Sequence, residues 1–136
     1  TWNLTALPDH VATPNDGSAL LGCWSLVSCT KTLPGGSQSL PYGDKPRGAI
    51  LYGSDGWMAC QMANGDDAGK ASDFFSAYHG RYSIDTEQAV VTHHVVWSST
   101  EGVSGDARRS YRIEGCNLLL TAQTGGALVE VRWSKA

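Results

Sequence analysis

The sequence predicts an all-β protein: one eight-stranded, up-and-down antiparallel β-barrel with a ligand cavity. Three observations carry this prediction. Apolar and polar residues alternate with period two over many short runs rich in β-branched and aromatic residues. Sixteen glycines help to punctuate those runs, and no long helical period intervenes. The connections are long after the first, third and fifth runs and short after the second, fourth and sixth. Successive connections of an up-and-down barrel fall at alternate ends. The long ones therefore ring a mouth, and the short ones close a base. An eight-stranded barrel is just wide enough to hold one small ligand, and barrel mouths are common binding sites.

Taken in order, residues 1–18 read as a polar N-terminal arm and residues 19–136 as the barrel. The first strand spans roughly Leu21 to Thr30, with Trp24, Leu26 and Ser28 on one face and Cys23, Ser25, Val27 and Cys29 on the other. A long Pro- and Gly-rich loop follows. The second strand, Gly48–Tyr52, turns through Gly53-Ser54-Asp55-Gly56 into the third, Trp57–Met62. In the next long connection Ser72 is placed to cap a helical turn carrying Phe74 and Phe75, which read equally as lid or as packing residues. Strands then run over about 76–84, 89–97, 107–113, 116–122 and 127–133.

Composition narrows the function. One core fits 136 residues. A net charge of −3 offers no basic stripe for nucleic acid, so no nucleic-acid partner is expected. No apolar run of about 18 residues is present to span a membrane as a helix. Asn3-Leu4-Thr5 is a glycosylation sequon at Asn3, and four cysteines allow two disulfides. Together they suggest a secreted protein or one passing through the secretory pathway. Cysteine spacing is wrong for zinc. No cofactor, phosphate-binding or nucleophile–base motif is visible, so no metal or cofactor is expected.

Short hairpins fix which side chains share a face. A turn over Asp85–Gln88 sets Tyr82 opposite Val91 and Gly80 opposite His93. Tyr78, Gly80, Tyr82, Ile84, Val91, His93, Val95 and Trp97 then form the more apolar, inward face. His94 points outward, so the two histidines do not share a metal. A turn at Glu114-Gly115 groups Arg109, Tyr111 and Ile113 with Cys116, Leu118 and Leu120 on the inside. In the second and third strands, Leu51, Met58, Cys60 and Met62 make one face and Ile50, Tyr52, Trp57, Ala59 and Gln61 the other. Either is apolar enough to line the cavity. An inward arginine needs an anion or acceptors, which marks Arg109 as a functional candidate. His93 reads equally as a core histidine bonded to Tyr111 or Tyr78, or as a ligand contact. Position along the barrel pairs Cys23 with Cys116 near the base and Cys29 with Cys60 toward the mouth, although face parity opposes the first pair.

The order and spacing of "LLGCWSLVS", "RGAILYGSDGWMACQM", "YHGRYSID" and "VVTHHVVWSS" resemble the small lipocalin-like domain family, a calycin-type barrel, over most of residues 20–133. Gly22-x-Trp24 in the first strand and Arg132 in the last also resemble the calycin pair in which an arginine covers the tryptophan at the closed base. The four cysteines are outside that family pattern and suggest a specialised secreted branch. The resemblance implies a cavity for one apolar, partly oxygenated small molecule. Some relatives in natural-product pathways act as cyclases, including Diels–Alder-type pericyclases. On that reading Arg109, His93 and Tyr111 polarise the substrate, while Met58, Met62, Phe74, Phe75, Tyr78, Trp97, Leu118 and Leu120 hold it. The alternative is a non-catalytic carrier of the same kind of ligand.

Overall fold

The computed structural model describes residues 17–65, 75–99 and 105–136. They form nine strands: β1 (Gly22–Thr32), β2 (Gln38–Ser39), β3 (Arg47–Tyr52), β4 (Trp57–Ala63), β5 (Phe75–Asp85), β6 (Val90–Ser98), β7 (Gly105–Glu114), β8 (Asn117–Thr124) and β9 (Ala127–Lys135). From β3 onward each strand pairs antiparallel with the next in sequence, and β1 pairs with both β3 and β9, closing the sheet. Strand β2 is a two-residue ribbon on the far end of β1. The closed barrel is therefore the other eight strands, the architecture that the alternation predicts.

One end is sealed. A 3-10 turn at Ser18–Leu20 tucks Leu20 under the base, fully buried, and the Trp24 indole N–H donates to its carbonyl at 2.9 Å. Trp24, Ile50, Tyr52, Val91, Leu118 and Trp133 are among the most deeply buried side chains. Burying large side chains of this kind stabilises by roughly 1.5–3 kcal/mol each.

Two turns differ from the sequence reading, one in length and one in position. The β3–β4 loop is the three residues Ser54–Gly56, closed by Gly56 in the left-handed region (φ 90°) and by Gly53 N–H donating to the Trp57 carbonyl. An odd loop pairs Tyr52 with Met58 and Ile50 with Cys60. Ile50, Tyr52, Met58, Cys60 and Met62 therefore share the inner face, whereas Leu51 turns out. The β5–β6 turn takes in Ala89, so Asp85 pairs with Val90 and Tyr82 with His93 rather than with Val91. That shift is two residues, which preserves the faces.

Two β-bulges rearrange what alternation predicts. Each inserts one unpaired residue and reverses the face parity beyond it. In β1 the ladder passes from Leu26–Trp133 to Ser28–Arg132, so Val27 is extra and Cys29, not Ser28, turns inward. In β6 it passes from Gly80–Val95 to His79–Trp97, so Val96 is extra and Trp97 turns outward. Trp97 is 56% exposed and stacks on His79, correcting its assignment to the cavity. Gly80 is required by this bulge: a Cβ there would lie 2.0 Å from the His94 carbonyl oxygen.

Arg132 does not cover Trp24. It has the opposite parity to Trp133 and is exposed, while Lys135, the register partner of Trp24, places its ammonium 4.4 Å from the indole centroid. The expected disulfides are also absent: Cys23, Cys29, Cys60 and Cys116 are free thiols. Cys116 sits exposed in the β7–β8 turn and Cys23 faces away from the core, whereas Cys29 and Cys60 point into it. Asn3, Ser72 and Phe74 lie outside the described residues; Phe75 opens β5 and is 52% exposed. No helix among the described residues is long and apolar enough to cross a membrane.

Candidate functional site

A cavity of about 650 Å³ occupies the mouth half of the barrel. Ile50, Met62, Leu120, Val129, Val131 and Trp133 supply its apolar wall. These residues face inward because each holds an inner position of a strand whose neighbours share the same register. Bulged β1 adds Cys29 and Lys31, which face out if strict alternation is followed.

The wall has a seam. The β7–β8 ladder begins only at Ser110–Thr121, so 105–109 of β7 pairs with β6 alone and 122–124 of β8 with β9 alone. The two segments part toward the mouth, and both line the cavity. Arg109 sits at this seam, half-buried, with its guanidinium donating to the Arg108 carbonyl at 3.1 Å. Among the described residues no carboxylate forms an ion pair with it. Lys31 also lines the space, as does the Asp106 carboxylate, while the Arg108 guanidinium donates to Gln88 on the outer face.

Beside the Ile50 and Met62 part of the wall runs a buried polar chain. His93 has no solvent exposure, and two tyrosine hydroxyls hold it: Tyr52 at 2.6 Å from Nε2 and Tyr78 at 2.9 Å from Nδ1. Burial first, and then the charges of Arg109 and His94, push the His93 pKa down from 6.5 to about 3. The ring is thus neutral, with one donor and one acceptor nitrogen. Tyr78 also hydrogen-bonds Cys60. All of these bonds are satisfied when Tyr52 donates to Nε2, Nδ1–H donates to the Tyr78 oxygen, and Tyr78 donates onward. The onward acceptor is Cys60 or an oxygen in the cavity, because both Tyr78 and Cys60 line it. Burial raises the Tyr78 pKa above its usual 10, so the phenol stays protonated and serves as a donor. Burial likewise raises the thiols of Cys29 to about 11 and Cys60 to about 12, so they remain neutral. At the floor, the buried Trp133 indole N–H has no acceptor among the described residues.

The sequence-derived candidates therefore separate. Arg109, Tyr78, Met62 and Leu120 meet at the cavity. His93 lies behind Tyr78 and orients it without lining the space, and Met58 and Leu118 belong to the packed core below. Tyr111 pairs with Leu120 and packs against the core, away from the cavity lining. Trp97 and Phe75 are on the outside. Tyr52 was not among the candidates. Its signal was the left-handed Gly56, since a three-residue loop ending in such a glycine is a common hairpin form that puts Tyr52 and Met58 on one face.

A family model described as "Lipocalin-like domain" matches residues 21–135. No curated protein matches the chain, and no solved structure does.

Proposed function

The chain belongs to the lipocalin-like domain family, and from that premise we propose that its barrel binds one apolar, partly oxygenated small molecule. The barrel is compatible with a small hydrophobic ligand. The observation that carries the finer reading is the division of the cavity into an apolar wall and two sets of donors. The Tyr78 hydroxyl is fixed from behind by neutral His93, and the Arg109 guanidinium stands at the seam with no ion-paired carboxylate among the described residues. A hydrocarbon body fits the wall, and a carbonyl, enol or carboxylate fits the donors.

On this proposal the cavity also turns its ligand over, by cofactor-independent cyclisation of the pericyclic, Diels–Alder kind. Such a reaction asks the protein to hold two ends of one molecule in a near-attack pose and to polarise a carbonyl. The wall provides the first function, and Tyr78 and Arg109 provide the second. The alternative is a carrier that holds the same ligand unchanged. A secretory route remains part of the proposal, supported by the Asn3 sequon alone now that the cysteines are free thiols.

Native mass spectrometry of the purified protein, followed by chromatography of what it releases, separates the two. Cyclisation preserves mass, so an enzyme converts the bound compound to an isomer of different retention time. Tyr78→Phe or Arg109→Ala then slows conversion about a hundred- to thousand-fold while binding changes less. Release of the unaltered compound after incubation contradicts catalysis and leaves the carrier.

A further inference from the structure

The outer face of the barrel carries a constellation of which only Asp106 also borders the cavity, at its mouth. Adjacent residues of a strand point to opposite faces, so His94 stands outside while His93 is buried. His94 pairs in register with Arg81 of β5 and Asp106 of β7, and Ser83 lies two residues beyond Arg81 on the same face. Ser83 Oγ is 2.9 Å from His94 Nε2, and His94 Nδ1 is 2.8 Å from Asp106 Oδ1. All three groups reach solvent.

The chemistry of the three groups sets the direction of these bonds. A carboxylate oxygen accepts, so Asp106 Oδ1 takes the Nδ1–H of His94. The Nε2 lone pair is then turned to the Ser83 hydroxyl. A nucleophile in reach of a base that a third group orients is the structural mark of an activated serine, and it recurs on unrelated folds. We propose that Ser83 is an acylable nucleophile, and that this outer face is a second, hydrolytic site for small esters.

In the first step Ser83 Oγ bonds to the ester carbonyl carbon as its proton passes to His94 Nε2. Asp106 stabilises the imidazolium. The carbon–oxygen bond to the alcohol breaks, and the alcohol leaves with that proton. Water then attacks the acyl-serine and gives a proton to Nε2. The acid departs, and the proton returns to Ser83. The exposed Trp57 ring offers an apolar resting place for the substrate, and the Arg81 guanidinium, stacked 4.4 Å from its centroid, is the nearby donor for the oxyanion. The Tyr82 N–H donates to the Gly56 carbonyl and Ser83 pairs with Thr92 in the β5–β6 ladder, so neither of these two residues offers a ready backbone oxyanion donor. Each missing oxyanion donor costs about a hundred- to thousand-fold in rate, so turnover is slow compared with a dedicated esterase.

The test uses the full chain with p-nitrophenyl acetate as substrate and a fluorophosphonate as covalent label. The wild type should hydrolyse the ester above the solution background and carry the label on Ser83 by peptide mapping. Ser83→Ala and His94→Ala should lose at least about tenfold of that rate, and Asp106→Asn should lose part of it. The first two variants should keep wild-type circular dichroism and wild-type binding of an apolar fluorophore in the cavity, so that loss of the fold is recognised separately. Hydrolysis by Ser83→Ala at the wild-type rate, or a protein that the fluorophosphonate leaves unlabelled at Ser83, overturns the proposal.

Discussion

Tyr52 and His93 are joined beneath the cavity, hydroxyl to Nε2 at 2.6 Å, and both are sealed from solvent. The contact ties β3 to β6 across the barrel interior and makes His93 a fixed, neutral support for Tyr78. Its cost appears when protons are added. The unfolded chain protonates His93 near pH 6.5, whereas the folded protein does so only near 3. Between those values the unfolded state binds more protons, so stability rises with pH. The stabilisation is fully present above about 6.5 and is lost as pH falls toward 3. Urea unfolding at pH 7.5 and pH 4.5 should show the wild type losing roughly 1–3 kcal/mol more than His93→Gln over that interval. Equal slopes for the two proteins would show that His93 is not held neutral.

The base makes a second prediction. Lys135, not Arg132, covers Trp24, and its ammonium also donates to the Leu21 carbonyl. A cation over an indole contributes about 0.5–2 kcal/mol. Lys135→Ala should lower the urea midpoint accordingly, while Arg132→Ala, on the outer surface, should stay within about 0.5 kcal/mol of the wild type. A larger loss from the arginine variant would restore the arrangement that the family resemblance implies.

The thiols make a third. A thiol reagent should modify exposed Cys116 quickly in the folded protein, while Cys29 and Cys60, raised to about 11 and about 12 by burial, should react only on unfolding. Titration in denaturant without reductant should find all four thiols. Finding two would place a disulfide in the chain.

The barrel was legible in the sequence because period-two alternation and alternating loop lengths are properties of the chain itself. Hence the inward His93, Arg109, Leu118 and Leu120, which follow from parity across β6, β7 and β8. What the sequence hid was each place where one residue changes parity. Val27 and Val96 look like ordinary strand residues. Only the partner strand shows that they are unpaired, and with them go the inward turn of Cys29 and Lys31 and the outward turn of Trp97. The loop at Ser54–Gly56 acts in the same way: one residue fewer than the apparent turn brings Tyr52 inside. The Ser83–His94–Asp106 arrangement was invisible for a different reason. It spans three strands and depends on the two-residue register shift that the turn ending at Ala89 imposes.

The central claim is that the mouth-half cavity holds a small molecule with its oxygenated end at Arg109 and Tyr78. The most direct measurement is a fluorescence titration with anilinonaphthalene sulfonate, an apolar dye with one anionic group. It would be run on the wild type and on Leu120→Trp, Arg109→Ala and Trp97→Ala. The account predicts saturable binding by the wild type, loss of binding when Leu120→Trp fills the cavity, and weakening of about tenfold or more when Arg109→Ala removes the cation. It predicts no change for Trp97→Ala, since that ring lies outside. Full binding by the filled-cavity variant, or loss of binding with Trp97→Ala, would place the ligand elsewhere and contradict it.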